Sequence, residues 1–379
     1  MTPIGSRLSD IWSGLIEGRC VADYVKAFDA SQFPCRIAYE VSEFDPSSLP
    51  LSEQARNYLN RAGLFGMKAC IDALAAAGFS AGELSGNLRV GANLGVGMGC
   101  PDFAWFAEKY IPRHMSEQLY REHIKYYPSI VTDMVADYAG IEGEVLTVHT
   151  ACASSGQSVG EAYEQIAYDE ADIMLTGGAD SMINPFYFAG FCLLGALTSH
   201  DDEPRKACRP FDKDRSGFVL GEGACALVLE EYEHAKARGA EILGEIVGYG
   251  VTESAYRITD LHPEGEGPIQ AMQAALKDAD VAPEKVGYVN AHGTSTVLND
   301  QVEALAIDRV FASKKLRVSS TQSITGHMIS AAGAMEFLVA MMALKYQVLP
   351  PSLNVDEQDP ACRVSITGRQ AEDRKLAYA

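Results

Sequence analysis

Short apolar runs alternate with amphipathic stretches along the chain. "AGLFGMKACIDALAAAGF" (62–79) spaces its apolar residues for a helix ending at Gly78. "LRVGANLGVG" (88–97) predicts a strand running into a glycine-rich turn, and "EVLTVHT" (144–150) a second strand. Residues 154–171 place Val159, Tyr163 and Ile166 on one helical face. "ADIMLTGGADS" (171–181) reads as a strand into a turn, and "GACALVLEEYEHAKARG" (223–239) as a strand into a helix. "EILGEIVGYGVT" predicts a further strand, followed by a helix over 268–280. "VGYVNAHGTST" (286–296) and residues 316–345 repeat the order strand, polar turn, helix. Such alternation predicts an α/β layered domain with largely parallel strands. The units around Cys152 and around Gln322 and His327 share one layout: a β-branched strand, Ser/Thr-rich residues, then a small-residue helix. That likeness points to an internal duplication.

Composition narrows the function classes. The 379 residues are 47% hydrophobic and 22% charged, as in ordinary globular proteins. A formal net charge of −20 argues against nucleic-acid binding, which needs a basic face. The densest basic cluster, Arg205, Lys206, Arg209, Lys213 and Arg215, is interleaved with Asp212 and Asp214 and reads as a surface turn. No stretch approaches ~20 uninterrupted apolar residues, so no membrane span is expected, and the Met-rich run 328–345 reads as a core helix. The first residues lack a signal-peptide layout, which makes the cytoplasm the expected location. None of the nine cysteines forms a C-x-x-C pair, and no histidine spacing suggests zinc, so no metal is expected. "GANLGVGMG" lacks the ribose-binding acid that a nucleotide site would need.

Chemistry concentrates around Cys152. In "VHTACASSGQSV" (148–159) it stands between a strand and a helix, with only Ala, Ser and Gly beside it. Two readings are open: an inert core thiol, or a thiolate favoured by the free N–H groups and dipole of the helix start. His292 ends an apolar strand in "NAHGTST", and His327 opens an Ala/Gly-rich helix in "SITGHMISAAG". A lone histidine in either place is more often structural. Together with the thiol they suit acyl transfer, in which the thiolate takes an acyl group and imidazole N–H donors stabilise an enolate.

"TACASS", "RPFDKDRSGFVLGEGACALVLEE", "YVNAHGTST", Asp300 with Glu303, and "SSTQSITGHMISAAGAMEF" occur in an order and spacing that resemble the β-ketoacyl-acyl carrier protein synthases. The likeness is to the bacterial type II condensing enzymes and polyketide ketosynthases, and it runs from about residue 3 to the last residue. It implies a thiolase-like, layered α-β-α-β-α fold with internal duplication. A first half (1–240) would carry the nucleophile and a second (241–379) the two histidines. The resemblance further implies decarboxylative Claisen condensation of an acyl thioester with malonyl-carrier protein, in fatty acid or polyketide synthesis. Cys152 would be the acylated nucleophile, and His292 and His327 the condensation pair. Thr294, Thr296 and Thr259 would hold the pantetheine arm, with Met98 and Phe191 lining the acyl pocket. Asp300, Glu303, Gln322 and Glu336 would support the site. The implied partner is an acyl carrier protein, and the implied assembly a homodimer or a ketosynthase heterodimer. No cofactor is implied, because the phosphopantetheine belongs to the carrier.

Three features depart from the family pattern. Gln322 stands where the family's "S-T-K-S" has lysine, which leaves Glu336 without a cationic neighbour and puts the decarboxylation step at risk. The family has a strand before "TPIG" and, after a stretch like "RKLAYA", a "G-F-G-G" loop that supplies an oxyanion-hole N–H. The early helix that relatives use for the carrier offers only Arg56 and Arg61. The Gln322 departure and the absent loop favour a second reading, a non-catalytic ketosynthase partner of the chain-length-factor kind. The retained Cys152, His292 and His327 oppose it.

Overall fold

The computed structural model describes residues 1–97, 124–257 and 260–379. Helix α1 (Arg61–Ala77) starts where Asn60 Oδ1 accepts the Gly63 N–H, and ends at Gly78, whose φ of 85° suits a residue without a side chain. There follow strand β1 (Val90–Val96), helix α2 (Ser129–Ala139), strand β2 (Val145–Val148), helix α3 (Ser154–Ala167) and strands β3 (Ile173–Asp180) and β4 (Gly223–Glu230). The strands form one sheet in the order β2-β1-β3-β4. β1 runs parallel to β2 and β3, and β4 runs antiparallel to β3.

β1 and β3 are buried along their whole length because helices cover both faces of this sheet. On one face Met67, Cys70 and Leu74 of α1 and Val131 and Val135 of α2 pack with Val90, Leu94, Ile173 and Leu175. On the other lies α3, whose Ser158 Oγ donates to the Asn93 carbonyl of β1 and meets Thr176 Oγ1 of β3 at 2.8 Å.

The second half supplies helix α4 (Glu266–Asp278), strand β5 (Tyr288–Asn290), helix α5 (Val297–Phe311), strand β6 (Arg317–Ser319) and helix α6 (Ala332–Tyr346). β5 and β6 pair in parallel, Val289 opposite Val318. Met272 and Leu276 of α4 and Ala304, Ile307 and Phe311 of α5 pack over this pair. α6 fills the space between the two sheets and crosses α3 at Gly333, where a Cβ would stand 2.6 Å from the Gly156 nitrogen. The molecule is therefore the expected layered α-β-α-β-α fold. Residues Ile329–Tyr346 are long and apolar enough to cross a membrane, yet half of the stretch is buried in the protein. Its apolar character serves that central layer.

One predicted strand is absent. Residues 241–252 join no ladder, and Ile242, Leu243, Val247 and Val251 are exposed. The glycines explain how the segment is held. A Cβ at Gly248 would meet the Ala275 carbonyl and one at Gly250 the Ala271 carbonyl, both on α4. Its apolar alternation satisfies the pattern of a strand, but a strand also needs a neighbouring strand to pair with, and none of the described residues forms a ladder with it.

Candidate active site

Both sheets point strand ends and helix starts at the same place. β2 leads into a tight turn, Ala151–Ala153, from which α3 begins. Ala151 holds a left-handed φ of 51°, an uncommon conformation for a residue with a side chain. Ser154 Oγ staples the turn by accepting the Thr150 N–H at 2.9 Å and donating to the Ala151 carbonyl at 2.7 Å. The small residues around Cys152 are required by this packing. A Cβ at Gly95 of β1 would lie 2.4 Å from Ser154 and Ser155 backbone, and Ser155 Oγ accepts the Ala334 N–H of α6. They let the helix start press against the sheet and against α6, leaving the thiol at its tip.

His327 enters from the turn before α6 and puts Nε2 2.9 Å from Cys152 Sγ. His292 enters from the turn after β5, its ring 4.9 Å from that of His327, centroid to centroid. One ligand atom from each of Cys152, His292 and His327 lies within 4.8 Å of the others. The turn holding His292 is fixed by Glu303 of α5, which accepts the His292 N–H at 2.7 Å and the Gly293 N–H at 2.8 Å. The Gln322 Nε2 group donates to His292 Nδ1 at 3.1 Å and to Glu336 Oε1 at 2.9 Å. Gln322 Oε1 and His327 Nδ1 are buried without a hydrogen-bond partner among the described residues.

Burial pushes the Cys152 thiol up, but the His327 ring, then hydrogen bonds from His292 and His327, outweigh it and bring its pKa down to about 5. Burial alone would lower the pKa of His292; the Glu336 carboxylate and the Cys152 sulfur instead raise it well above the ordinary imidazole value. Two partners at His292 Nδ1 match its two forms. The neutral ring accepts from the Gln322 amide, whereas an imidazolium would donate toward Glu336 Oε1, 3.5 Å away.

The remaining sequence candidates separate into groups. Thr294 and Thr296 meet through their hydroxyls at 2.9 Å, on the His292 loop. Phe191 packs edge-on against Phe218, which packs edge-on against His327, so an aromatic wall runs from the site. Asp300 is buried one turn from the reacting groups, accepting the Phe211 N–H at 2.8 Å and the Ser295 N–H at 3.2 Å. Burial, set against these donors and Arg215, brings its pKa up to about 7. Met98 and Thr259 lie outside the described residues. Arg56 donates to the Leu51 carbonyl, and Arg61, half-exposed, pairs with the buried Glu222 at 2.5 Å.

Sequence reasoning missed Asp180. It ends β3 fully buried and accepts the Ser330 N–H at 3.1 Å, so it ties the first sheet to the turn that carries His327. Burial raises its pKa to about 6, against the hydrogen bonds from Ser330 and Ser181. The acid at the end of "MLTGGAD" was the available signal, since an uninterrupted apolar strand seldom ends on a buried carboxylate without a task. Ser295 and Ile329 were missed as well. With Ala151 and Phe211 they hold left-handed φ values of 71°, 44°, 51° and 67°, which gathers backbone strain around the thiol.

Comparison with known proteins accords with this geometry. Residues 1–235 match the family "Beta-ketoacyl synthase, N-terminal domain" and residues 243–356 its C-terminal domain. The chain is 37% identical over 388 residues to a 3-oxoacyl-[acyl-carrier-protein] synthase 2 of Coxiella burnetii, covering 99% of this chain and 91% of the relative. It is 36% identical over 385 residues to the synthase 2 of Staphylococcus aureus, covering 100% and 94%. Among solved structures, a beta-ketoacyl synthase from Burkholderia phymatum superposes with a TM-score of 0.91 at 33% identity, covering 99% of this chain and 91% of that one. A type II polyketide ketosynthase solved with its acyl-carrier protein gives 0.87 at 28% identity, with the same coverage.

Proposed function

Since the chain belongs to the β-ketoacyl synthase family, we propose that Cys152, His292 and His327 carry out its decarboxylative condensation, forming a 3-oxoacyl thioester on an acyl carrier protein. The observation that carries this reading is the meeting of the Cys152 sulfur with both imidazoles at the tip of α3. The thiolate attacks the carbonyl carbon of an acyl thioester, the bond to the carrier sulfur breaks, and the carrier leaves as its thiol after taking up a proton. A malonyl thioester then takes its place. Its bond to the carboxylate breaks, carbon dioxide departs, and the electron pair forms an enolate whose oxygen accepts hydrogen bonds from imidazole N–H groups. The enolate carbon attacks the acyl-cysteine carbonyl, a carbon–carbon bond forms, and the Cys152 thiolate is released.

Stabilising the enolate needs the proton of His292 on Nε2, and the Gln322 amide favours that form by donating to Nδ1. Glu303 fixes the backbone beneath the ring. Gln322 thus orients the His292 ring through Nδ1 and brings no cation of its own to Glu336, so decarboxylation responds to this position more than loading does. Phe191 and Phe218 form one wall of the acyl channel, and Thr294 and Thr296 hold the pantetheine arm. A working thiolate is kept reduced in the cytoplasm, which supports that compartment for the enzyme. The assembled triad favours this reading over a non-catalytic partner subunit.

The test is product formation. Purified protein given acyl-carrier and malonyl-carrier is expected to yield 3-oxoacyl-carrier, and Gln322→Lys to change the condensation rate more than the loading rate. Loading without carbon dioxide release or product would leave an acyltransferase and refute the condensation step.

A further inference from the structure

The catalytic triad is also a ligand set. Cysteine sulfur and two imidazole nitrogens are the donors that zinc prefers, and a three-ligand site leaves a fourth position open. No sequence spacing disclosed it, because the ligands come from three separate turns of the fold. A tetrahedral zinc ion, with bonds of about 2.3 Å to sulfur and about 2.0 Å to nitrogen, sets its ligand atoms roughly 3.5 Å apart. The donor atoms here lie between 2.9 Å for Cys152 to His327 and a limit of 4.8 Å for the set, so their separations need change by no more than about 1.3 Å to hold the ion.

Two independent observations favour a dication at this point. The far nitrogen of His292 faces Glu336 at 3.5 Å, the carboxylate–histidine arrangement that typically backs a metal-bound imidazole. With Nδ1–H turned to that carboxylate, or to the unpartnered Gln322 Oε1 after an amide flip, Nε2 is free to coordinate. The second is the local charge. Glu336 and Glu303 stand beside His292, and among the described residues no Lys or Arg pairs with either. Gln322, an uncharged amide, occupies the point between His292 and Glu336.

We propose that Cys152, His292 and His327 form a site for a thiophilic divalent cation, Zn2+, which reversibly occupies the nucleophile and blocks acyl loading. The Cys152 thiolate gives to the Zn–S bond the electron pair that would otherwise attack the acyl carbonyl, and any proton on a donor nitrogen of His292 or His327 is released to solvent. His327 keeps the ion from becoming permanent. Coordination through Nε2 moves its proton to Nδ1, which is buried with no acceptor among the described residues, so a chelator removes the metal. The blockade rests on the role assigned to Cys152 above, while the binding rests on the geometry alone.

Co2+ serves as the spectroscopic probe on the metal-free, full chain. One equivalent is expected to produce a sulfur-to-cobalt charge-transfer band and tetrahedral visible bands, both lost in Cys152→Ser and displaced by Zn2+. Zn2+ is expected to slow alkylation of Cys152 by iodoacetamide at least tenfold, with full recovery on adding chelator. Gln322→Lys, which keeps all three ligands and adds a cation beside Glu336, is expected to weaken Co2+ binding at least tenfold. A band that survives Cys152→Ser, or alkylation of Cys152 indifferent to Zn2+, overturns the proposal. Acyl loading of the metal-free protein is measured in parallel. A cobalt band in a protein that never loads keeps the metal site and removes the condensation reading instead.

Discussion

Cys152 follows a strand set in a four-stranded ladder, whereas His292 follows a three-residue strand in a two-stranded one. The nucleophile is held by backbone: glycines at 95, 178 and 333 let a sheet and two helices close around its turn. The histidines are held by side chains reaching to backbone, Glu303 beneath His292 and Asp180 beneath the His327 turn. Steric fit therefore sets the first region and buried carboxylates the second. Errors in the first cost stability through overpacking, and errors in the second leave buried N–H groups unpaired.

The largest effect expected from breaking this division is at His292. His292→Ala should cut condensation about 10²–10⁴-fold, the usual worth of a positioned acid–base group, while acyl loading on Cys152 persists. Separate measurement of acyl mass and 3-oxoacyl product distinguishes the two steps. Next comes the thiol itself. Its pKa near 5 means that thiolate is present above about pH 5 and lost below it, so alkylation of Cys152 should fall by half near that pH. An ordinary cysteine, near 8.5, would lose its reactivity more than three pH units higher. A rate–pH profile of iodoacetamide labelling, read by peptide mass, checks this.

Glu303→Ala probes the side-chain-held region. Two buried N–H groups lose their acceptor, at about 1–3 kcal/mol each, so denaturant titration should show a clear loss of stability and condensation should fall further than loading. Gly333→Ala probes the backbone-held region. Its new methyl meets the Gly156 nitrogen, and overpacking of this kind costs about 1–3 kcal/mol, read as a lowered melting temperature. The smallest energies belong to residues 241–252. Having no ladder, their amides should exchange with solvent under little protection, while those of β3 exchange only on global opening.

Much of this was legible before the structure. Period-two and period-3.6 patterns located β1, β3, β4, α1, α3 and α6, because those elements bury one face or both and carry that requirement in their composition. Motif order pointed to Cys152, His292 and His327 as candidates. The strand expected over 241–252 failed because alternation reports which side chains face a core and is silent on whether a neighbouring backbone exists. Asp180 was hidden for a related reason: its partner Ser330 is distant in sequence, and only the fold shows that a carboxylate is needed there. Left-handed Ala151 and Ile329 were equally hidden, since neither residue type announces a positive φ.

Intact-mass analysis after mixing the protein with an acyl-carrier thioester, beside a Cys152→Ala control, tests the central claim most directly. One acyl group on the native chain and none on the control is the predicted result, with the added mass lost again as 3-oxoacyl-carrier forms on addition of malonyl-carrier. A folded native chain that takes no acyl group, or a control that takes as much, would contradict it.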